Sequence, residues 1–150
     1  EASFAKIDWD DFQAELKTRP WTVVHGDAHP HNILRVDGRL VLIDFEMVGL
    51  GSNAQELGQF LISHMVPDER RQHEECLVRA YYEAPGLQET YTFEACWREY
   101  LDGGAGRWLW FVPYLASVCP PPMAQFFHDQ LAAFLHDHFP VAADVPMPRV

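Results

Sequence analysis

Apolar residues recur along the chain at two spacings, and the switch between them sets out its parts. Trp9, Phe12 and Leu16 follow Asp8 at helical intervals, with Asp8 as N-cap and Pro20 as the stop. Trp21-Thr22-Val23-Val24 is β-rich and leads straight into His25-Gly26-Asp27. Ile33–Val36 and Arg39–Ile43 flank Asp37-Gly38, the strongest short signal for a type I′ hairpin. Beyond Phe45 the rhythm becomes helical. Leu57, Phe60, Leu61 and Met65 predict a helix from about Asn53 to Val66. Pro67 opens a second, with His73, Leu77, Ala80, Tyr81 and Ala84 on its inner face and Pro85-Gly86 as its end. Thr92 caps a third, carrying Phe93, Cys96, Trp97, Tyr100 and Leu101 on one side. Gly103-Gly104-Ala105-Gly106 is expected to interrupt it before a buried helix at Trp108–Ala116. Met123, Phe127, Leu131, Phe134 and Leu135 predict the last helix, and the proline-bearing stretch after Phe139 reads as a loose tail.

The order is thus one small β cluster between helices. No βαβ alternation appears, so a doubly wound sheet is not expected. Two carboxylates, Asp27 and Asp44, fall at the ends of strands on either side of the hairpin. Phosphoryl transfer needs positioning and charge neutralisation more than covalent chemistry. A divalent cation needs hard oxygen ligands, and one carboxylate must orient the attacking hydroxyl and accept its proton. Asp27, Asn32 and Asp44 supply such groups. Asp27 and Asn32 stand at the Asp-x-x-x-x-Asn spacing of kinase catalytic loops, and Asp44-Phe45 matches the segment carrying the metal-binding aspartate. His25, Asp27, His29 and His31 are also possible zinc ligands. No helical HExxH is present and Pro30 disrupts a helix across His29 and His31, which leaves a zinc hydrolase as the weaker alternative.

The run HGDAHPHN followed by LIDFE resembles the aminoglycoside phosphotransferase and choline kinase superfamily of small-molecule kinases. Glu56–Leu61, Pro67–Glu74 and Tyr91–Tyr100 are similar to its ecdysteroid-kinase-like branch. The resemblance implies ATP and Mg²⁺ as cofactors and a small-molecule alcohol as substrate. It implies Asp27 as catalytic base with His25 bracing the loop, Asn32 and Asp44 as metal ligands, and His29 as a loop or phosphate contact. Glu56 stands where the family often has an aspartate, and its longer carboxylate can brace the loop. Gly26, where protein kinases usually have arginine, favours a small-molecule kinase. No glycine-rich loop and no strand lysine can be found. The expectation is therefore an α+β, mainly α-helical chain. Residues 1–140 would form the C-terminal lobe of a protein-kinase-like fold with one small catalytic β-hairpin, and 141–150 a tail. The missing N-terminal lobe would be its partner, and the lobe alone would be inactive. A non-catalytic kinase-like binding module is the second alternative.

Composition narrows this picture slightly. The 150 residues carry a formal net charge of -11 with 11 Lys+Arg, which argues against nucleic acid as partner. Cys76, Cys96 and Cys119 are odd in number and form no CxxC, as expected in a reducing cytoplasm. No secretory leader is read in Glu1–Lys17. The prolines within Trp108–Phe127 favour buried core over a membrane span. Trp97, Tyr100, Trp108, Trp110 and Tyr114 are candidates for a pocket wall, though aromatics at helical spacing are mostly core. Arg70, Arg71, Glu74 and Glu75 read as a solvated helix face, and His136 and His138 as solvated residues at a helix end.

Overall fold

The computed structural model describes residues 21–52, 54–84 and 92–140, with Ala14, Lys17, Gly86 and Glu89 in addition. Of the expected helix around Trp9–Leu16 Ala14 alone is described, and it is helical; the tail 141–150 lies outside the described residues.

Two antiparallel strand pairs precede the helices. Strand β1 (Trp21–Val24) pairs with β4 (Gly49–Ser52), matching Trp21 to Ser52 and Val24 to Gly49. Strands β2 (Ile33–Val36) and β3 (Arg39–Leu42) form the expected hairpin, Ile33 opposite Leu42 and Val36 opposite Arg39. Asp37 and Gly38 both have positive φ, 48° and 76°, as a type I′ turn requires. The single-hairpin expectation is therefore corrected. β4 went unseen because Gly49-Leu50-Gly51-Ser52 has low strand propensity, and its pairing is made by topology. Its effect is large: β1 and β4 tie together the two ends of an excursion, 25–48, that holds every candidate site residue.

Four helices follow: α1 (Gln55–His64), α2 (Pro67–Tyr82), α3 (Phe93–Val118) and α4 (Pro121–His138). Thr92 caps α3 as expected, its Oγ1 accepting from the amide of Ala95 at 3.2 Å. Gly103–Gly106 does not interrupt α3, which runs unbroken for 26 residues. These glycines mark a close helix crossing instead. A Cβ at Gly58 of α1 would stand 2.5 Å from the Tyr100 carbonyl oxygen and 2.8 Å from Gly104 Cα. Only residues without side chains let the two backbones approach so near. Leu61, Ile62, Val78, Cys96, Tyr100, Trp108, Leu131 and Phe134 form the core between the helices.

The inner face of α2 also differs from expectation. His73 and Ala80 are exposed, while Arg70, Glu74 and Val78 are buried. Arg70 and Glu74 are not solvated because a polar network closes over them. Arg70 Nη1 donates to Glu74 at 2.6 Å, Arg70 Nη2 donates to Asp137, Tyr100 Oη donates to Glu74 at 2.9 Å, and His138 Nε2 lies 3.1 Å from the same carboxylate. His138 is thus drawn into the network, whereas His136 remains exposed.

Candidate active site

Gly26 has φ 82°, a conformation glycine adopts without strain. A Cβ there would stand 2.1 Å from the carbonyl oxygen of Met47. The 3-10 turn Phe45–Met47 therefore packs directly on the loop that carries Asp27. The loop ends in a second 3-10 turn, Pro30–Asn32, where the fixed φ of Pro30 suits the first position.

Backbone groups between these two turns are held from several sides. His25 Nε2 donates to the carbonyl of Ile43 at 2.8 Å, and its ring packs 4.7 Å from that of Phe45. The Ile43 amide donates to the Asn32 carbonyl at 3.0 Å. Ile43 is thus gripped on both sides, which sets the direction of Asp44. Asp44 itself has φ 62°, one of two non-glycine residues with positive φ among those described. Glu56, in the first turn of α1, accepts the amide of His25 at 2.9 Å and that of Gly26 at 2.6 Å. Two charge-assisted bonds from one carboxylate clamp the loop at its entrance.

Asn32 Nδ2 donates to the Asp27 carbonyl at 3.0 Å and lies 3.5 Å from its carboxylate. His29 Nε2 is 3.5 Å from the same carboxylate. The structure thus brings His25, Asp27, His29 and Asn32 into one bonded loop, with Asp44 next to Ile43 on the adjoining segment. Arg107 of α3 reaches the same place: Nη1 donates to the Gly26 carbonyl at 2.6 Å, and Nη2 lies 3.9 Å from Asp27 Oδ1. Sequence reasoning missed Arg107, which is 81 residues from its partner and belongs to no local pattern. Its one available signal was the glycine run just before it. Of the aromatic candidates, Tyr100 and Trp108 are core, and Tyr114 is exposed.

The donor set fits a hard divalent cation. Asp27 and Asp44 offer carboxylate oxygens, and Asn32 offers an amide oxygen because its nitrogen faces Asp27. Among the described residues no three His, Cys, Asp or Glu side chains gather as a metal cage, so the zinc alternative gains no support.

A family model described as the phosphotransferase enzyme family matches residues 5–93. The chain belongs to that family. Kinase and phosphotransferase are therefore its class, with the kinase-type fold for nucleotide and metal binding that membership implies in general terms. Comparison with curated proteins and with solved structures gives no match. The family match also corrects the expected architecture. It begins at residue 5, takes in both strand pairs and continues into the first helices. A β-layer of the kind an N-terminal lobe carries is therefore part of the chain, and the chain is not a C-terminal lobe alone. The missing N-terminal lobe as partner falls with that expectation. The match is to the phosphotransferase family at large and names no branch of it. The expectation failed because it sought a β-layer through a glycine-rich loop and a strand lysine, and the strand pairs of 21–52 carry neither. Among the described residues no helix is long and apolar enough to cross a membrane.

Proposed function

We propose that the chain transfers the terminal phosphoryl group of ATP, with Mg²⁺, to a hydroxyl of a small molecule. The observation that carries this reading is the bonded loop: Asn32 on Asp27, and Glu56 on the two amides before it. A general base must be held in place, and Asp27 is held on three sides without its carboxylate being buried. Asp27 orients the acceptor hydroxyl and takes its proton. Asn32 and Asp44 are the residues that would hold the cation. His25 fixes the segment bearing Asp44 through Ile43, and the Nε2 edge of His29 stands beside Asp27, where the transferred phosphate would come. Bound magnesium and ATP would supply the phosphoryl group and the charge neutralisation that its transfer requires.

The test is ATP consumption by the chain against a panel of hydroxylated metabolites, with and without Mg²⁺. Asp27→Ala should lower kcat by about 100-fold or more, with circular dichroism and melting temperature unchanged. Asp44→Ala should weaken Mg²⁺-dependent nucleotide binding. Near-normal turnover by Asp27→Ala would refute the assigned base.

A further inference from the structure

The imidazoles of His29, His31 and His64 stand together, with His29 next to Asp27. Their ring centroids are 5.8 Å apart for His29 and His31, 5.9 Å for His29 and His64, and 5.4 Å for His31 and His64. His29 and His31 come from the loop and its 3-10 turn, and His64 from the last residue of α1, so only the fold assembles the group. The end of α1 is fixed by Gln130 of α4, which donates to the carbonyls of Ile62 and Met65 at 3.2 and 2.7 Å.

Two features point to a ligand. His29 Nδ1 is buried and has no hydrogen-bond partner among the described residues. Burial, then the neighbouring His31 and His29, hold the His64 imidazole below its ordinary value, so His64 resists gaining positive charge without a counter-ion. An anion would relieve both. The surroundings favour the same sign of ligand. Arg107 lies beside Asp27 and offsets its negative charge, and the Glu56 carboxylate is engaged by two amides. Phe127 of α4 stands edge-on to His64 at 6.4 Å, with Trp108 stacked behind it at 5.2 Å, an apolar wall next to the imidazoles.

Resting on the phosphotransferase reading above, we propose that the acceptor is an acidic alcohol, a small hydroxyl compound bearing a carboxylate or phosphate. Its anionic group lies on His29, His31 and His64, its carbon frame lies along Phe127, and its hydroxyl faces Asp27.

Histidine ring-proton NMR tests the site without relying on turnover. The chain is titrated separately with inorganic phosphate, glycerol 3-phosphate, glycerate, ethanolamine and Mg²⁺–ATP. The acids should move the His29, His31 and His64 signals together while His128 and His136, exposed on α4, stay in place; ethanolamine should move none. His64→Gln and His64→Ala should each weaken the binding of the acids by about tenfold. In the ATP-consumption assay glycerate or glycerol 3-phosphate should be phosphorylated in preference to ethanolamine. Equal shifts at His128 and His136, no shifts at all, or ethanolamine as the better acceptor would overturn the proposal. Shifts produced by Mg²⁺–ATP but not by the acids would assign the cluster to the nucleotide and overturn it as well. Imidazole shifts with acids but no Mg²⁺-dependent ATP turnover would instead sink the phosphotransferase reading and leave the anion site standing.

Discussion

Arg107 and Glu56 hold the same short stretch of backbone from opposite ends of the charge scale. Glu56 accepts hydrogen bonds from the amides of His25 and Gly26, and Arg107 donates one to the Gly26 carbonyl while its second nitrogen nears Asp27. Glu56 was readable as a brace through the family resemblance, because it stands where that family often has an aspartate. Arg107 was not, because its one local signal, the glycine run before it, reads as a helix break. A residue that acts through backbone should change the reaction without changing what is bound. Arg107→Met is expected to lower kcat about tenfold, equivalent to about 1.4 kcal/mol, with the KM for ATP little altered. Arg107→Lys should recover part of the loss, since it restores a cation near Asp27 but not the fork of donors. Steady-state kinetics on the three proteins decides this; a loss confined to KM would show that Arg107 binds nucleotide and does not position the base.

At the scale of elements, most helices and the hairpin were legible because period and punctuation agreed. Asp37-Gly38, Pro67 and Thr92 each act through their own backbone geometry. The two failures, β4 and the supposed break at Gly103–Gly106, share a cause: glycine means different things in isolation and in contact. In α3 Gly104 is where α1 approaches, whereas a Cβ at Gly106 would meet nothing within 4 Å. Gly106 and Gly58, the α1 side of that crossing, should therefore respond oppositely to alanine. Gly106→Ala gains helix propensity alone and should stabilise the chain by about 0.5–1 kcal/mol. Gly58→Ala gains the same propensity but drives Cβ into the Tyr100 carbonyl, with an overpacking cost of about 1–3 kcal/mol. It should be destabilising on balance. Gly58→Ala should reduce turnover too, because Glu56 lies two residues before the crossing and Arg107 three residues after Gly104. Urea denaturation and ATP turnover on both variants give the comparison; loss of stability in both would mean that the open space at Gly106 does not decide its response.

For the whole molecule, stability at low pH is controlled far from the loop, by the network joining α2, α3 and α4. Read by position alone, Arg70 and Glu74 are an ordinary i,i+4 surface pair, since only the folded arrangement brings Tyr100, Asp137 and His138 over them. Burial would raise the carboxyl of Glu74, but bonds from His138 and Arg70 outweigh it and hold the group below its ordinary 4.5. Asp137 is likewise held below 3.8, burial being outweighed by Arg71 and Arg70. Carboxylates depressed in the folded state bind fewer protons there than in the unfolded chain, so stability rises with pH across their titration. Their contribution is complete above about 4.5, the ordinary value for Glu74. It is lost as pH falls below that value and through the lower folded ones. Glu74→Gln leaves Arg70 with one anionic partner fewer in a buried setting, a change that costs about 3 kcal/mol in comparable pairs. The variant should be less stable than the parent at pH 7, and the gap should narrow as pH is lowered toward 3. Urea midpoints measured from pH 7 to pH 3 for both proteins provide the test. An undiminished gap at pH 3 would mean that the carboxylate of Glu74 stabilises the chain through packing and not through its charge.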